Sequence, residues 1–450
     1  MDTIVAVATP PGRSAIGVIR LSGPHSLAIL RALIQDPQFT PEANQIVLKK
    51  LLVGESGAVL DHALVSYFSA PHSFTGEDMV EISCHGSPVI LRHLLDLIQS
   101  FEGRLAGPGE FTLRAYRNGK INLAQGEAIR DLINAQTSAA VIQATRQLGG
   151  ELSKVLQPAK QHLIDVIVRL ESALEFVEDD LPEIQVSEIN KRLRKALTAV
   201  SELARTYAAG HMLRGGMKVT IIGRPNVGKS SVFNRLLRSD RSIVTDLAGT
   251  TRDTISESIS LDGVPIAITD TAGIREPGDT IEAIGVERTH RAIADADLVV
   301  VVLDGSNDLL PEDLVLLSQA TDTAHVVAIN KSDLPTTSRV VVDAHHADVV
   351  HLSALTGDGF ESLTAAILKP FGTIDAEGAG LLVTDSRHYD LLSRAQGALE
   401  SALKLFSEGT SEEIVLVDLH NALQFLGEIT GETTTEEILS EIFSTFCIGK

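Results

Sequence analysis

The chain has 450 residues, 44% of them hydrophobic, so it can form two or three domains with ample cores. Its formal net charge is −21, and a surface of that sign as a whole repels phosphate backbones. A nucleic-acid partner would therefore need a local basic patch or help from another protein. The two cysteines, Cys84 and Cys447, exclude a disulfide framework and a four-cysteine zinc site, and they suit a reducing cytosol.

The chain start, MDTIVAVATPPGR, lacks the basic region and the long apolar run of a secretory signal peptide. The longest apolar run, LVVVVL at 298–303, is six residues long and far shorter than a membrane span. We therefore expect a soluble, cytoplasmic protein that makes no contact with a membrane.

Residues 1–120 alternate short apolar runs, such as AIGVIRLSG and MVEISC, with turn residues, and a helical pattern, SPVILRHLLDLIQSF, follows them. This pattern predicts a compact N-terminal α+β domain. Apolar residues then recur at helical spacing from 122 to 210 and again after 375. Between these segments, β-branched runs such as KVTIIG and HVVAIN alternate with helical stretches, which is typical of a mostly parallel sheet with crossover helices.

The Asp-Gly pair at 262–263 marks a hairpin, so we expect one edge strand of that sheet to be antiparallel. The predicted domains are an N-terminal α+β domain at 1–120, a discontinuous helical domain at 121–213 and 375–450, and an α/β domain at 217–370 inserted between the two helical segments.

The stretch GRPNVGKS, Gly223 to Ser230, follows the strand pattern KVTIIG and matches the phosphate-binding motif G-x-x-x-x-G-K-[ST]. Its glycines allow backbone N–H groups to turn toward phosphate oxygens. Lys229 supplies a positive charge for the β- and γ-phosphates, and the Ser230 hydroxyl is suited to Mg²⁺. The sequence thus predicts a P-loop, with a Gly-rich turn of no function as the less favoured alternative.

Later strands of the inserted domain end in two further motifs. At the end of one, Asp270 of DTAG can hold Mg²⁺ through water, and the Gly273 N–H can face the γ-phosphate. At the end of another, Asp333 of NKSD can accept hydrogen bonds from guanine N1–H and N2–H₂ together, whereas adenine would leave that carboxylate unpaired. Ser353-Ala354-Leu355 would bring a backbone N–H near guanine O6. Four motifs in this order predict a Ras-like P-loop GTPase domain.

The segment GTTRD at 249–253 lies between the P-loop and DTAG. Thr251 can complete Mg²⁺ coordination in the triphosphate state, so we expect 240–254 to form a loop that responds to the γ-phosphate.

Hydrolysis needs a group that orients water, and Ile274, directly after DTAG, cannot replace the glutamine that Ras-like proteins have there. Glu282 is the best carboxylate candidate, with a solvated glutamate on a helix as the alternative. Arg252 and Arg275 are candidate cations for the developing charge. Asn226 offers an alternative to these arginines, because its amide oxygen could ligate a monovalent cation where an arginine side chain would otherwise reach the phosphates.

The motifs GRPNVGKSS, GTTRDT, DTAGIRE and NKSD, the terminal FCIGK and the N-terminal ATPPGRSAIGVIRLSG together resemble the MnmE family, also called TrmE. The resemblance covers essentially the whole chain, and the family comprises tRNA wobble-uridine modification GTPases. It implies a potassium-activated GTPase domain that dimerises across its nucleotide face. It also implies an N-terminal domain that binds a 5-formyl-tetrahydrofolate-type folate and forms a constitutive homodimer.

The same resemblance implies a flavoprotein partner, MnmG (also called GidA), in a heterotetramer. The two proteins of the family add a carboxymethylaminomethyl or aminomethyl group to C5 of uridine 34 in certain tRNAs.

Carried over residue by residue, the resemblance implies that Ser230 and Thr251 bind Mg²⁺, that Glu282 orients the water, and that Lys229 acts beside it. The implied K⁺ ligands are Asn226, Thr245, Leu247 and Thr250. The predicted GTP contacts are Asn226, Val227, Gly228, Lys229, Ser230, Ser231, Thr245, Asp246, Leu247, Ala248, Gly249, Thr250, Thr251, Asp270, Thr271, Ala272, Gly273, Asn330, Lys331, Asp333, Ser353, Ala354 and Leu355.

A folate carries a pterin with donor and acceptor edges and a glutamate tail with carboxylates. Glu77 could accept hydrogen bonds from the pterin ring N–H groups, and Arg20 and Lys120 could hold its polar edge or the tail. Lys450 could join them. These four positions match the family's folate contacts, and surface ion pairs are the alternative reading of each.

The terminal Cys447-Ile448-Gly449-Lys450 is a poor prenylation signal, because Gly449 is not aliphatic and an acidic segment precedes it. We instead expect a tail that faces a pocket, with Phe446 and Ile448 packing and Cys447 near the cofactor; a reactive role for its thiol stays open.

Two other features are interpreted without a special function. Cys84-His85 is expected in the core or at the surface rather than at a metal site. The basic run NKRLRK at 190–195 fits a solvated helix face better than a tRNA contact.

Two other functions are compatible with a GTP-binding domain. One is a switch in ribosome assembly or signalling, and the other is a folate-dependent one-carbon enzyme that uses GTP for regulation. The inserted-domain layout and the folate-like contacts favour a GTPase that drives tRNA modification.

Overall fold

The computed structural model describes residues 2–54, 57–175, 183–239, 256–270, 293, 295–335, 348–369 and 380–449, with the backbone alone at 175, 183–185, 238–239, 256–258 and 270. The chain divides into two compact units: Met1–Ile133, Gln147–Ile189 and Ser401–Lys450 form the first, and Asn134–Arg146 and Asn190–Glu400 form the second. The three-domain boundaries given above stay a prediction. Within the described ranges, no helix combines the length and the apolar character that crossing a membrane requires.

Two sheets and a set of helices make up the described chain. The strands are β1 (Thr3–Val7), β2 (Ser14–Ser22), β3 (Ile46–Val53), β4 (Ala58–Phe68), β5 (Met79–Gly86), β6 (Gly103–Leu105), β7 (Met217–Ile222), β8 (Ser256–Leu261), β9 (Val264–Asp270), β10 (Leu298–Asp304), β11 (His325–Asn330) and β12 (Asp348–His351). The helices are α1 (Ser26–Ile34), α2 (Pro88–Ser100), α3 (Glu110–Arg117), α4 (Leu123–Asn134), α5 (Ser138–Leu148), α6 (Glu151–Glu175), α7 (Glu183–Arg205), α8 (Tyr207–Gly215), α9 (Lys229–Ser239), α10 (Pro311–Ala320), α11 (Phe360–Leu368), α12 (Ser386–Ser407), α13 (Glu412–Thr430) and α14 (Glu436–Ser444).

The sheet of the first unit has the order β3-β4-β5-β2-β1-β6, with β1 and β6 parallel and the other neighbours antiparallel. Alternation along β2 separates its two faces: Ile19 and Leu21 are fully buried in the core beneath α1 and α2, whereas Arg20 between them lies on the other face, half-buried. The predicted α+β domain is confirmed, and this second face carries the polar residues described below.

The sheet of the second unit has the order β12-β11-β10-β7-β9-β8, and all neighbours are parallel except β8 and β9. The β8–β9 turn has positive φ at Asp262 (48°) and Gly263 (83°), which confirms the predicted hairpin and antiparallel edge.

Apolar residues cover both faces of this second sheet, as expected for parallel strands. Val300 and Val302 of β10 pack in a cluster with α8, α9 and α11, whereas Val299 and Val301 pack on the opposite face with α10. The connections run from β7 to β9 on one side and onward to β10 on the other, so the carboxyl end of β7 is a topological switch point. Such a point is where an open α/β sheet offers a crevice to a ligand.

The C-terminal tail packs within the first unit. Phe446 is 6% exposed and lies in a cluster with Leu123, Leu439 and Phe443. A side chain at Gly109 (φ 63°) would lie 2.6 Å from the Phe443 carbonyl oxygen, so a glycine is needed there. The expected packing is confirmed for Phe446 and wrong for Ile448, which is 58% exposed because it forms an isolated backbone bridge with Pro108 at the surface.

Cys84 and the basic run at 190–195 lie in different surroundings. Cys84 lies in the core of the first unit, where burial and the Asp61 carboxylate raise the pKa of its thiol to about 11. On α7, Lys191, Arg194 and Lys195 are exposed, and the preference for a solvated helix face over a tRNA contact stays a prediction.

We expect Val300→Ala to lower the free energy of unfolding of the second unit by about 2 kcal/mol, because it removes two carbon atoms from a fully buried site. Val315→Ala, at a residue 53% exposed on α10, is the matched control and should change it by less than about 0.5 kcal/mol. Urea unfolding of the full-length protein followed by circular dichroism measures both. Equal losses would show that Val300 is not in a packed core.

Candidate functional site

The loop at the end of β7 has the geometry of a phosphate cradle. It runs from Gly223 to Gly228 and leads directly into α9, which begins at Lys229. Asn226 and Gly228 both have positive φ, at 67° and 99°. A side chain at Gly228 would collide with Nδ2 of Asn330, so this close approach requires glycine. The loop thus leads into the N-terminus of α9, where the helix dipole and the free N–H groups of a first helical turn favour an anion.

Lys229 closes this loop. Its side chain is 7% exposed, and its Nζ donates to the Arg224 carbonyl oxygen at 2.7 Å. Arg224 is itself held by Asp313 of α10, since Nε donates to Oδ1 at 2.6 Å, and this hydrogen bond raises the pKa of Arg224. The Lys229 ammonium thus lies across the cradle, while Ser230 and Ser231 are exposed in the first turn of α9.

The buried Asn330, at the end of β11, joins the cradle to the turn after β12. Its Nδ2 donates to the Val227 carbonyl oxygen at 2.9 Å, and its Oδ1 accepts from the Ala354 N–H at 2.9 Å. A base oxygen near this turn would have to share or replace the Ala354 bond. Asn330 therefore fixes the spacing between the phosphate side and the base side of the site.

Lys331, the next residue, has φ 68° and is fixed by Asp304 at the end of β10, with Nζ 2.6 Å from Oδ2. Burial would raise the pKa of the Asp304 carboxyl, but the hydrogen bonds from Lys331 and Ser306 lower it to about 2. Lys331 is thus held by an ionised carboxylate, and its aliphatic stem is set at the base side of the crevice.

Asp333 is exposed, and its Oδ1 accepts from the Ser353 hydroxyl at 2.5 Å. Ser353 also accepts from the Thr356 N–H at 3.1 Å, so the carboxylate and the turn hold each other. Arg235 of α9 braces the same turn through the carbonyl oxygens of Ala354, Leu355 and Thr356 at 3.2, 2.9 and 2.8 Å. A carboxylate anchored on one oxygen and open to solvent is suited to accept from a base edge.

Strand register brings the motifs to one edge of the sheet. Ile221 of β7 pairs with Asp270 of β9, and Asp304 of β10 pairs with Asn330 of β11. The described members of the predicted GTP site thus meet at the carboxyl ends of neighbouring strands: Asn226, Val227, Gly228, Lys229, Ser230, Ser231, Asp270 (backbone), Asn330, Lys331, Asp333, Ser353, Ala354 and Leu355.

The other predicted residues of this site lie outside the described part of the chain, and their roles stay predictions. They are Thr245, Asp246, Leu247, Ala248, Gly249, Thr250, Thr251, Arg252, Thr271, Ala272, Gly273, Ile274, Arg275 and Glu282.

The polar face of the first sheet carries the second group of predicted site residues. Arg20 donates from Nε to Glu81 at 2.9 Å, and its guanidinium lies 5.9 Å from the Phe74 ring centroid and 6.0 Å from that of Phe111. Its Nη1 donates to the Gly449 carbonyl oxygen at 3.4 Å. The end of the chain therefore lies at Arg20, although Lys450 itself is outside the described residues.

Glu77 and Lys120 adjoin this position. The Ser22 hydroxyl, two residues from Arg20 on the same face of β2, donates to Glu77 Oε2 at 2.7 Å. A side chain at Gly76 would lie 3.3 Å from Cγ of Lys120, so the Lys120 stem runs beside Gly76, the residue before Glu77, and its Nζ donates to the Pro71 carbonyl oxygen at 3.0 Å. The structure thus brings Arg20, Glu77 and Lys120 together around one loop.

This set of groups fits a ligand with N–H donors at one end and carboxylates at the other. Glu77 offers an acceptor, Arg20 and Lys120 offer positive charge, and the Phe74 ring lies beside Arg20. Sequence reasoning missed Arg114, whose Nη1 lies 3.0 Å from Glu77 Oε2, because no local motif marks a residue that acts through another side chain. It also missed Asp304, which acts through Lys331, and Arg235, which bonds the backbone of a turn more than a hundred residues away in sequence.

Comparisons with known proteins cover the whole chain. The family model described as "GTP-binding protein TrmE N-terminus" matches residues 3–120, and the one described as "MnmE helical domain" matches residues 123–447. A curated relative from Koribacter versatilis, named tRNA modification GTPase MnmE, is 44% identical over 100% of this chain and 99% of its own length. A second of the same name, from Aquifex aeolicus, is 43% identical over the full length of both chains.

Among solved structures, the G domain of the T. maritima FeoB iron transporter is 26% identical, with a TM-score of 0.26, over 34% of this chain and 98% of that chain. Aquifex aeolicus Era bound to GDP and AlF4⁻ is 25% identical, with a TM-score of 0.29, over 40% of this chain and 66% of that chain.

We expect Asp333→Asn to weaken GTP binding about 10- to 100-fold, because it removes a charge-assisted acceptor for guanine N1–H and N2–H₂. Binding of xanthosine triphosphate should strengthen, since xanthine has an oxygen where guanine has its amine and an asparagine amide can donate to it. Calorimetric titration of the full-length protein with each nucleotide measures both. The exposed Asp322→Asn variant is the control, and an unchanged ratio of the two affinities in Asp333→Asn would contradict this role.

Proposed function

The chain belongs to the MnmE family, also called TrmE, of tRNA modification GTPases, and we propose that potassium-activated GTP hydrolysis by its P-loop domain drives modification at C5 of the wobble uridine of certain tRNAs. Its activity as a GTP hydrolase in tRNA modification follows from the family. The added group, carboxymethylaminomethyl or aminomethyl, the cation and the partner belong to the proposal.

The observation that carries the proposal is the junction at Asn330. This one buried amide bonds the phosphate cradle at Val227 and the base-side turn at Ala354, so a triphosphate and a guanine can be held at one fixed separation. Asp333, anchored by Ser353, supplies the selectivity for guanine.

Hydrolysis in this domain depends on the placement of charge. Lys229, now bonded to the Arg224 carbonyl oxygen, can turn its ammonium to the β- and γ-phosphates when a nucleotide displaces that bond. Ser230 and Thr251 are the proposed Mg²⁺ ligands. Ile274 cannot orient water, so Glu282 takes that role as a carboxylate hydrogen-bonded to the attacking water.

Asn226 is the described member of the proposed K⁺ ligand set, which also includes Thr245, Leu247 and Thr250. Its backbone is left-handed, with φ 67°, and the residue is exposed. The residues of these two sets would hold Mg²⁺ and K⁺, whose positive charge would offset the negative charge that develops on the phosphates during hydrolysis. The amide oxygen of Asn226 is a suitable K⁺ ligand because it is neutral, so it does not cancel the positive charge of the ion.

In the first unit, we propose that Arg20, Glu77, Lys120 and Lys450 bind a 5-formyl-tetrahydrofolate-type folate. A bound folate would supply a one-carbon unit; Glu77 would accept hydrogen bonds from its pterin N–H groups, and Arg20, Lys120 and Lys450 would offer positive charge to its carboxylates. The neighbouring acceptor, cations and aromatic ring described above support this assignment. We further propose a homodimer that works with the flavoprotein MnmG in a heterotetramer, with tRNA as the common substrate.

A GTPase switch without modification chemistry is the second candidate function. The polar groups around Arg20 and Glu77 favour a GTPase that drives tRNA modification. A switch alone would have no use for a site that fits a donor–acceptor ring and a carboxylate tail.

We expect GTP turnover to fall by about one order of magnitude or more when Na⁺ replaces K⁺, with nucleotide affinity unchanged. Asn226→Gly tests the ligand directly, because glycine keeps the left-handed backbone and removes the amide. Its turnover in K⁺ should drop to the level that wild type shows in Na⁺. Equal wild-type rates in the two salts would remove the cation from the mechanism.

Changing Glu282 to Ala should lower GTP turnover about 100-fold without weakening GTP affinity, because water loses its orienting carboxylate. Glu287→Ala, five residues further along the chain, is the control and should keep full turnover. In a deletion strain, nucleoside mass spectrometry should find the wobble modification restored by wild type and by Glu287→Ala, but not by Glu282→Ala. Unchanged nucleosides on deletion would support the switch instead.

A further inference from the structure

Arg114 on α3 makes the ion pair that holds Glu77. Its Nη1 lies 3.0 Å from Oε2 and 3.3 Å from Oε1 of Glu77. Both side chains are 11% exposed, so the pair is largely withdrawn from water. Solvent screens a pair so withdrawn less than it screens a surface pair, and removal of one partner would leave the other charge unpaired away from water.

The two oxygens of Glu77 are not equally engaged. Oε2 accepts the Ser22 hydroxyl at 2.7 Å and the shorter Arg114 bond, whereas Oε1 receives the longer Arg114 contact. Thr75 supports the arrangement, because its Oγ1 lies 2.7 Å from Ser22 Oγ and accepts from the Glu77 N–H at 3.2 Å. Oε2 is thus the anchored oxygen, and Oε1 keeps acceptor capacity for a ligand.

Arg114 is in turn fixed by other acids. Its Nη2 bonds Asp2 at 2.6 Å and Glu110 at 3.2 Å, and its Nη1 donates to the Asp2 carbonyl oxygen at 2.9 Å. Burial would lower the pKa of the Arg114 guanidinium, but the hydrogen bonds and charge of Glu77 raise it overall. The planar fork of arginine serves these three residues at once, which a lysine ammonium cannot do.

The same acids also bind Arg104, and this arginine gives a natural comparison. Arg104 bonds Asp2 and Glu110, both at 2.5 Å, and the bond from Arg104 is the main cause that lowers the pKa of Asp2 to about 2. None of the described contacts of Arg104 reaches Glu77. The two arginines thus share one acidic cluster and differ in their contact with Glu77.

We propose that Arg114 is a positioning residue for ligand recognition: it aims the Glu77 carboxylate so that Oε1 accepts from a pterin N–H. This rests on the folate role proposed for Glu77. Arg114 bonds Glu77 through both of its carboxylate oxygens, so the proposed contribution of Arg114 to affinity is expressed through Glu77.

Calorimetric titration of the full-length protein with 5-formyltetrahydrofolate tests this. Arg114→Gln should weaken binding about 10- to 100-fold, the effect of a lost charge-assisted hydrogen bond on an acceptor. Arg104→Gln, which leaves the Glu77 pair intact, should change affinity less than about threefold, an amount that corresponds to an exposed ion pair.

A double-mutant cycle separates positioning from a general structural role. In a Glu77→Gln background, Arg114→Gln should cause no further loss of affinity, because the group it positions is gone. Arg114→Lys keeps the charge without the fork, so it should lose part of the affinity in wild type and none in Glu77→Gln. Should Arg114→Gln fail to fold, Arg114→Lys in the same cycle gives the answer.

Additive losses in the cycle, or full affinity in Arg114→Gln, would overturn the positioning role while leaving the proposed folate site intact. If wild type shows no binding heat, or Glu77→Gln binds as well as wild type, the folate assignment itself fails. The two failures are therefore distinguishable in one set of titrations.

Discussion

A single buried amide fixes the geometry of the nucleotide site. Asn330 is 2% exposed, and it bonds both the Val227 carbonyl oxygen and the Ala354 N–H. Leaving either partner unsatisfied in the interior is costly, so the loop after β7 and the turn after β12 cannot shift independently. Asn330 therefore sets the distance between the turn that carries the Asp333 contacts and the loop that precedes Lys229.

Much of this site could be predicted from the sequence because its parts are local. A glycine-rich turn after an apolar strand, an acidic residue after the next strands and an Asp-Gly hairpin each specify backbone geometry over a few residues, and the parallel register of β7, β9, β10 and β11 then brings them to one edge. The side chains that brace the site act over long sequence distances. Arg235 bonds the turn at Ala354, and Asp304 bonds Lys331. No spacing in the sequence predicts these contacts.

The error at Ile448 has a similar cause. An apolar residue in a short tail was expected to pack, but the tail is held by the backbone bridge to Pro108 and by the buried Phe446. Once those contacts set the path of the chain, the Ile448 side chain points to solvent. Hydrophobicity predicts burial on average, whereas the path of a tail depends on tertiary contacts of its backbone.

The first unit contains an arrangement of the same kind, in which several polar groups withdrawn from water are hydrogen-bonded to one another. Glu77, Ser22, Thr75 and Arg114 form such a set in the first unit, where Ser22 and Thr75 are fully buried. In the second unit the buried Ser353 bonds the more exposed Asp333, whereas in the first unit Arg114 and Glu77 are equally withdrawn from water.

The central claim is that the amide cradle and Asp333 hold one guanosine triphosphate between them. A crystal structure of the full-length protein with GDP, aluminium fluoride, Mg²⁺ and K⁺ tests it most directly. We expect Lys229 Nζ to leave the Arg224 carbonyl oxygen for the phosphate mimic, with Asp333 bonded to guanine N1 and N2. An empty cradle, or equal occupancy by the corresponding adenosine complex, would contradict the claim.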